Sequence, residues 1–123
     1  MTRDDTQVFA NRWAESWSRR DVESVLAHFH DEVIFTSPTA LAVVGSSQVS
    51  GKKALREYWN TAMGRIGALK FVVDRVLWDD ESRELAIIYT ANINGNSRRV
   101  SENLKFDASG LVVSAEVFHG VPA

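Results

Sequence analysis

The fold of this chain is decided by residues 84–106, which read ELAIIYTANINGNSRRVSENLKF. Apolar and polar side chains alternate on both sides of Asn94-Gly95, and an Asn-Gly pair between two alternating runs is a strong signal for a two-residue hairpin turn. We therefore predict two antiparallel strands, over residues 84–93 and 97–106.

The pattern on either side of this hairpin predicts an α+β fold. A period of two also spans residues 69–78 and 111–119, whereas the residues before position 69 have mostly helical spacing. The upstream elements that we predict are a helix over 4–18, a second helix capped by Asp21, a short strand over 33–36, a loop over 39–50 and a third helix that Ser50 or Gly51 opens. Three helices followed by a meander are expected to pack on one face of an antiparallel sheet, and a sheet curled around helices leaves a cavity.

Length and composition exclude several classes of function. The chain has 123 residues, which predicts one domain over 1–123. Its net charge of −2 provides no broad basic surface for nucleic acid or a membrane. It has no cysteine, which excludes disulfides and thiolate chemistry. The start of the chain has no apolar signal segment, and Ala40–Val44 is too short to span a bilayer, so we expect a cytoplasmic protein.

The third strand of the meander carries one residue that breaks the alternation. Val100, Leu104 and Phe106 share the apolar face with Glu102, although buried glutamates are rare unless they are paired. One interpretation is a structural carboxylate that accepts an indole N–H from Trp13 or Trp59. The other is an acid or base in a ligand cavity, protonated near neutral pH because burial raises its pKa.

The last strand has a similar feature at His119. Pairing Phe106 with Leu111 across the turn predicts Ala115 opposite Glu102, and leaves His119 about 13 Å further along the strand. A ligand could lie between the two, but a histidine satisfied at a strand end is the favoured interpretation. In the neighbouring strand, Tyr89 is expected to point inward and to find a backbone partner for its hydroxyl.

The chain resembles the NTF2-like superfamily, in its SnoaL-like and ketosteroid-isomerase-like branch. The segments that carry the resemblance are RDVESVLAHF at 20–29, VIFTSP at 33–38, GKKALREYW at 51–59 and LKFDASGLVVS at 104–114, together with Gly120. The resemblance implies a cone, in which a strongly curved, mostly antiparallel sheet surrounds three helices. It also implies an apolar pocket in the mouth of the cone and a homodimer built on the sheet.

The catalytic residues of the isomerases are only partly matched. Ser37 stands where the isomerases have a proton-shuttling aspartate, and Trp13 stands where they have an oxyanion-stabilising tyrosine. Glu102 falls on the position of their protonated acid. These departures from the isomerase pattern imply a protein that is not a standard ketosteroid isomerase. The residue patterns of the related epoxide hydrolases and dehydratases are not recognisable.

We therefore expect a protein that binds a small, mainly apolar molecule. The catalytic hypothesis is proton transfer, as in an isomerase, cyclase or dehydratase, with Glu102 as acid or base and His119 assisting. No cofactor or metal is implied. The alternatives are a non-catalytic ligand-binding domain and a protein-interaction module of the nuclear-transport-factor type. The expected ligand-binding residues are Trp13, Trp17, Ser37, Tyr58, Trp59, Tyr89, Leu104, Ala115 and Val117.

Overall fold

The computed structural model describes residues 1–123 and contains both helices and a six-stranded sheet. The elements in chain order are α1 (Arg3–Ser18), α2 (Val22–Leu26), β1 (Phe29–Thr36), α3 (Pro38–Val44), β2 (Gln48–Ser50), α4 (Lys52–Gly64), β3 (Leu69–Asp79), β4 (Glu84–Ile93), β5 (Asn96–Phe106) and β6 (Val112–Pro122).

The sheet has the strand order β2-β1-β6-β5-β4-β3. The β1–β6 pair is parallel and all the other pairs are antiparallel, so the sheet is mixed but mostly antiparallel. The predicted hairpin is confirmed: Ile93 pairs with Asn96, and both turn residues, Asn94 and Gly95, have positive φ angles. The sheet is curved and unclosed, with the helices packed against its concave face, as in an NTF2-like cone.

The first helix begins at Arg3, one residue before the predicted start, and Thr2 is its N-cap. The side chain of Thr2 accepts a hydrogen bond from the Asp5 backbone N–H, and the Asp5 carboxylate accepts one from the Thr2 backbone N–H. Trp13 and Trp17 form part of the buried face of α1, as their spacing predicts. Asp21 caps α2, because its side chain accepts a hydrogen bond from the Ser24 backbone N–H in the first turn.

The region between α2 and α4 differs from our prediction. The second helix ends at Leu26, and β1 begins at Phe29 rather than at residue 33. Residues 39–50, predicted as a loop, contain most of α3 and all of β2. The Ser37 hydroxyl caps α3, proline occupies its first turn, and Gly45 ends it at a φ of 78°. The fold therefore has a fourth helix that the prediction lacked.

The predicted register between β5 and β6 was wrong by two residues at Glu102. Phe106 pairs with Val112, and a register shift between Lys105 and Phe106 inserts an extra residue into β6. Glu102 consequently lies opposite Val117, and Leu104 lies opposite Ala115. His119 pairs with Val100 and lies about 7 Å along the strand from the partner of Glu102, rather than about 13 Å.

None of the helices combines the length and the apolar character needed to cross a bilayer.

Candidate functional site

An apolar cavity lies between helix α4 and the concave face of the sheet. Its volume is about 120 Å³, and 14 of its 18 lining residues are hydrophobic. The lining residues that the sequence predicted are Trp17, Ser37, Tyr58, Trp59, Tyr89, Glu102, Val117 and His119. A cavity with apolar walls and a few polar side chains has the general character of a small-molecule site.

Three residues expected at the wall lie elsewhere. Leu104 and Ala115 are fully buried in the core, and the observed register pairs Ala115 with Leu104 instead of Glu102. Trp13 is also buried, and its ring packs edge-on against Tyr89, with 5.0 Å between the ring centroids. Trp13 therefore supports the wall from behind instead of forming it.

The buried carboxyl group of Glu102 is the main polar feature of the cavity. Glu102 is only 5% exposed and lies between Ile87 on β4 and Val117 on β6. None of the ion pairs in the structure includes it. Burial raises its pKa from the ordinary value of 4.5 to about 8, and the hydrogen bond from Tyr89 works against this rise. The carboxyl group is therefore predominantly protonated at neutral pH.

Tyr89 provides the hydrogen-bond partner of Glu102. Its hydroxyl donates to Glu102 Oε1 over 3.4 Å, so the expectations of a backbone partner for Tyr89 and of an indole partner for Glu102 were both wrong. The indole Nε1 of Trp13 is buried without any partner. Burial raises the pKa of Tyr89 well above its usual value, and the nearby charge of Glu102 adds to this effect.

Tyr58 and Ser37 add two more hydroxyl groups to the cavity. Burial raises the pKa of Tyr58 to about 12, the Ser37 hydroxyl lowers it through a hydrogen bond, and the charge of Glu102 raises it further. The Ser37 oxygen also accepts the Thr39 backbone N–H over 3.2 Å. We call Glu102, Tyr89, Tyr58 and Ser37 the inner end of the cavity. It offers hydroxyl and neutral carboxyl donors, and it contains no ionised base at neutral pH.

His119 lies at the other end of the cavity, where it is exposed to solvent. Its Nδ1 is 3.0 Å from a guanidinium nitrogen of Arg98. Partial burial lowers the pKa of His119, and the positive charge of Arg98 lowers it further. We call His119 and Arg98 the mouth. The structure brings His119 and Glu102 to one cavity but not into direct contact.

The sequence interpretation missed several wall residues. They are Phe35, Thr39, Ala62, Met63, Ile66, Leu69, Phe71, Ala91, Ile93 and Val100. Most are apolar residues at core-like spacing, which a sequence pattern does not distinguish from fully packed ones. No group of three His, Cys, Asp or Glu side chains has a geometry that could hold a metal ion.

Comparison with known protein families shows which family this chain belongs to. The SnoaL-like domain matches residues 10–113 of the chain. The chain belongs to the SnoaL-like family. A search of curated protein sequences gives no match to this SnoaL-like chain.

Solved structures have the same fold as this SnoaL-like chain. One is a SnoaL-like protein of unknown function from Burkholderia thailandensis E264, with 25% identity, a TM-score of 0.87 and 98% of each chain covered. A second is SalBIII, an epoxide hydrolase/cyclase-like enzyme with a role in pyran ring formation in the polyether salinomycin. It has 15% identity, a TM-score of 0.73 and coverage of 98% of this chain and 95% of its own. A third is a computationally designed 17-OHP binder, with 19% identity, a TM-score of 0.71 and 93% of each chain covered.

Proposed function

We propose that this protein binds a small, mainly apolar molecule in its cavity and catalyses a proton transfer on it. Glu102 is the acid or base. Its protonated carboxyl group donates a proton to an acceptor oxygen of the ligand, such as a carbonyl, and the carboxylate so formed accepts the proton released from a carbon of the ligand. The reaction class is isomerisation, cyclisation or dehydration, none of which needs a cofactor for the proton transfer itself.

The observation that carries this proposal is a buried carboxyl group without a cation partner in an apolar cavity. Such a group is costly to keep ionised, so its pKa lies close to the pH at which acid–base catalysis is most effective. Tyr89 supports it because the hydroxyl orients one carboxyl oxygen and leaves the other for a ligand. A purely structural role would not require the carboxyl group to face a cavity.

One observation favours a second function, non-catalytic binding of the same class of ligand. Ser37 occupies the position of the isomerase base, and a serine hydroxyl does not take up a proton unaided. The fold accommodates both functions, since one similar structure is a cyclase-like enzyme and another is a designed binder.

The experiment that separates these functions uses a one-ring probe suited to the small cavity. 3-Cyclohexen-1-one becomes the conjugated 2-cyclohexen-1-one when one proton is moved, and the change in ultraviolet absorbance follows the reaction. We expect turnover by the natural protein and a loss of about 10²- to 10⁴-fold in Glu102→Gln. Glu116→Gln, the same change at an exposed position on β6, is the matched control and should retain full activity.

Binding measured beside turnover completes this test. Saturable binding of the probe without conversion would assign the second function. If calorimetry detects no binding of the probe and native mass spectrometry detects no co-purified small molecule, both functions are wrong.

The homodimer implied by the family resemblance stays a prediction. Ile34, Val72, Leu77 and Phe118 are apolar side chains that are roughly half exposed on strands of the sheet. Sedimentation equilibrium at a protein concentration on the order of tens of micromolar is expected to give the mass of a dimer. A monomer mass would contradict this prediction.

A further inference from the structure

A polar groove continues from the apolar cavity toward solvent. It has a volume of about 750 Å³ and lies along the β4–β5 hairpin and the end of β6. The residues common to the groove and the cavity are Thr39, Ala91, Ile93, Val100 and His119. A ligand could therefore occupy the cavity with its apolar part and extend a polar group into the groove.

Arg98 lies in this groove with an uncompensated charge. It alternates in phase with Val100 and Glu102 on β5, and no carboxylate lies within 4.0 Å of it. The adjacent Arg99 points to the other face, where it is paired with Asp74 over 2.7 Å. Two neighbouring arginines thus have different roles: one is neutralised by an aspartate, and the other leaves its positive charge at the mouth.

The contact between Arg98 and His119 fixes the tautomer of the histidine. A guanidinium group has only donors, so the 3.0 Å contact requires His119 Nδ1 to be the acceptor. The neutral ring then carries its proton on Nε2. The lowered pKa of His119 keeps the ring neutral at neutral pH. The mouth therefore presents N–H donors from both side chains, while the imidazole lone pair is already used.

We propose that Arg98 and His119 bind the oxyanion head group of an amphipathic ligand whose apolar part fills the cavity. This inference rests on the proposed function and names the ligand class. The ligand is a small organic acid, such as a carboxylic acid with a ring and a carbonyl oxygen. Arginine suits oxyanions because its donors form a planar fork that matches them.

The spacing along the sheet limits the length of this ligand. His119 pairs with Val100, and Glu102 lies two residues further along β5, about 7 Å at the ordinary strand rise. An acid with its carbonyl a few bonds from the carboxylate spans such a distance. The carbonyl reaches Glu102 at the inner end while the carboxylate remains at the mouth.

The test compares ligands that differ only in their head group. 4-Oxo-4-phenylbutanoate, its primary amide and the corresponding phosphonate are titrated into the protein by calorimetry. We expect the carboxylate to bind about tenfold more tightly than the amide, because hydrogen bonds to a charged group are stronger than neutral ones. This preference should weaken at high salt, since the head group is exposed to solvent. The phosphonate shows whether the site requires a carboxylate or accepts oxyanions in general, and either result supports the site.

Two variants identify the residues responsible. Arg98→Gln should bring the carboxylate and the amide to nearly equal affinity, because the carboxylate loses its charged partner and so loses more affinity than the amide. Lys105→Gln removes the same charge from an exposed position on the same strand and should retain the preference.

The outcomes separate this inference from the proposed function. If the amide binds as tightly as the carboxylate, or if the preference survives in Arg98→Gln, the oxyanion site is wrong while the cavity remains a ligand site. If none of the three compounds binds, the oxyanion site and the proposed function are both wrong.

Discussion

The inner end of the cavity and its mouth place ionisable residues of one strand in opposite environments. Glu102 is 5% exposed and has no cation nearby, whereas Arg98, four residues earlier on β5, is exposed at the mouth. Burial raises the pKa of Glu102 to about 8, so its neutral form is favoured. The mouth instead presents the guanidinium group of Arg98 to solvent. The contrast shows that the cone places a neutral acid at its inner end and a cation at its mouth.

The largest expected effect comes from placing a base at the inner end. Ser37→Asp should raise the conversion of 3-cyclohexen-1-one by about 10²- to 10⁴-fold, because it supplies the base that the natural residue lacks. Aspartate also caps helices well, so α3 should persist. Ultraviolet absorbance measures the rate, and Ser47→Asp, at an exposed position, is the control.

An unchanged rate in a folded Ser37→Asp protein would contradict the prediction that the reaction is limited by the missing base at position 37. The natural protein should convert 3-ketosteroids poorly for the same reason. Turnover close to that of a true isomerase would mean that another residue already acts as the base.

The next effect is on the pH dependence of stability. The folded pKa of Glu102, about 8, lies above its ordinary value of 4.5, so below about pH 4.5 the carboxyl group is neutral in both the folded and the unfolded state and no ionisation penalty opposes its burial. The free energy of unfolding should then fall as the pH rises from about 4.5 to about 8, because folding opposes ionisation of this carboxyl group, and should level off above pH 8. Glu102→Gln removes this titration, so it should be more stable than the natural protein at pH 8 and similar to it at pH 5.

Urea denaturation at both pH values measures this difference, with Glu116→Gln as a control that should follow the natural protein. Parallel behaviour of Glu102→Gln and the natural protein across this range would show that the carboxyl group is solvated or ion-paired. The inner end would then not differ from the mouth.

A smaller effect is expected from Tyr89→Phe. The hydrogen bond from Tyr89 lowers the pKa of Glu102, so its removal should raise that pKa further, by less than about one unit because the 3.4 Å contact is long. Carboxyl ¹³C NMR follows the titration. Tyr58→Phe removes a hydroxyl that does not contact Glu102 as a hydrogen-bond donor, and should shift the pKa less. A fall in the pKa in Tyr89→Phe would contradict this arrangement.

The smallest effect is expected at the mouth. His119→Gln should change the free energy of unfolding by no more than about 0.5 kcal/mol, because the side chain is exposed and makes one polar contact. Thermal denaturation tests this prediction. A loss of about 2 kcal/mol or more, typical of a core truncation, would show that His119 is structural.

The sequence predicted the structure well where regular alternation of apolar and polar residues coincided with a local turn signal. Alternation in β5 predicted the inward position of Glu102, and Asn94-Gly95 predicted the hairpin, because both depend on neighbours in the chain. Helix α3 is absent from the prediction although Ser37, Pro38 and Gly45 are cap signals, because a proline after an alternating run also commonly ends a strand.

The contacts of the mouth depend on pairing between strands, so they were harder to predict from the sequence. Pairing of Phe106 with Val112 instead of Leu111 moves the register at Glu102 by one position, and an extra residue in β6 moves it by another. No residue type near Val112 or Ser114 marks such a bulge. The dipeptide Arg98-Arg99 resembles an ordinary surface pair. Only the pleat, together with Asp74 on another strand, shows that the two charges point to different faces.

The position of β6 has a consequence for the order in which the fold forms. It is the final strand of the sequence, yet it lies between β1 and β5 and joins the β1–β2 pair to the meander. During synthesis the edge of β1 therefore waits for residues 112–122, which leave the ribosome last among these elements. Pairings so distant in sequence are slow to form, so the unpaired edge of β1 depends on prompt docking of β6 to avoid association with other molecules. The cavity wall formed by Val117 and His119 is accordingly among the last parts of the molecule to be assembled.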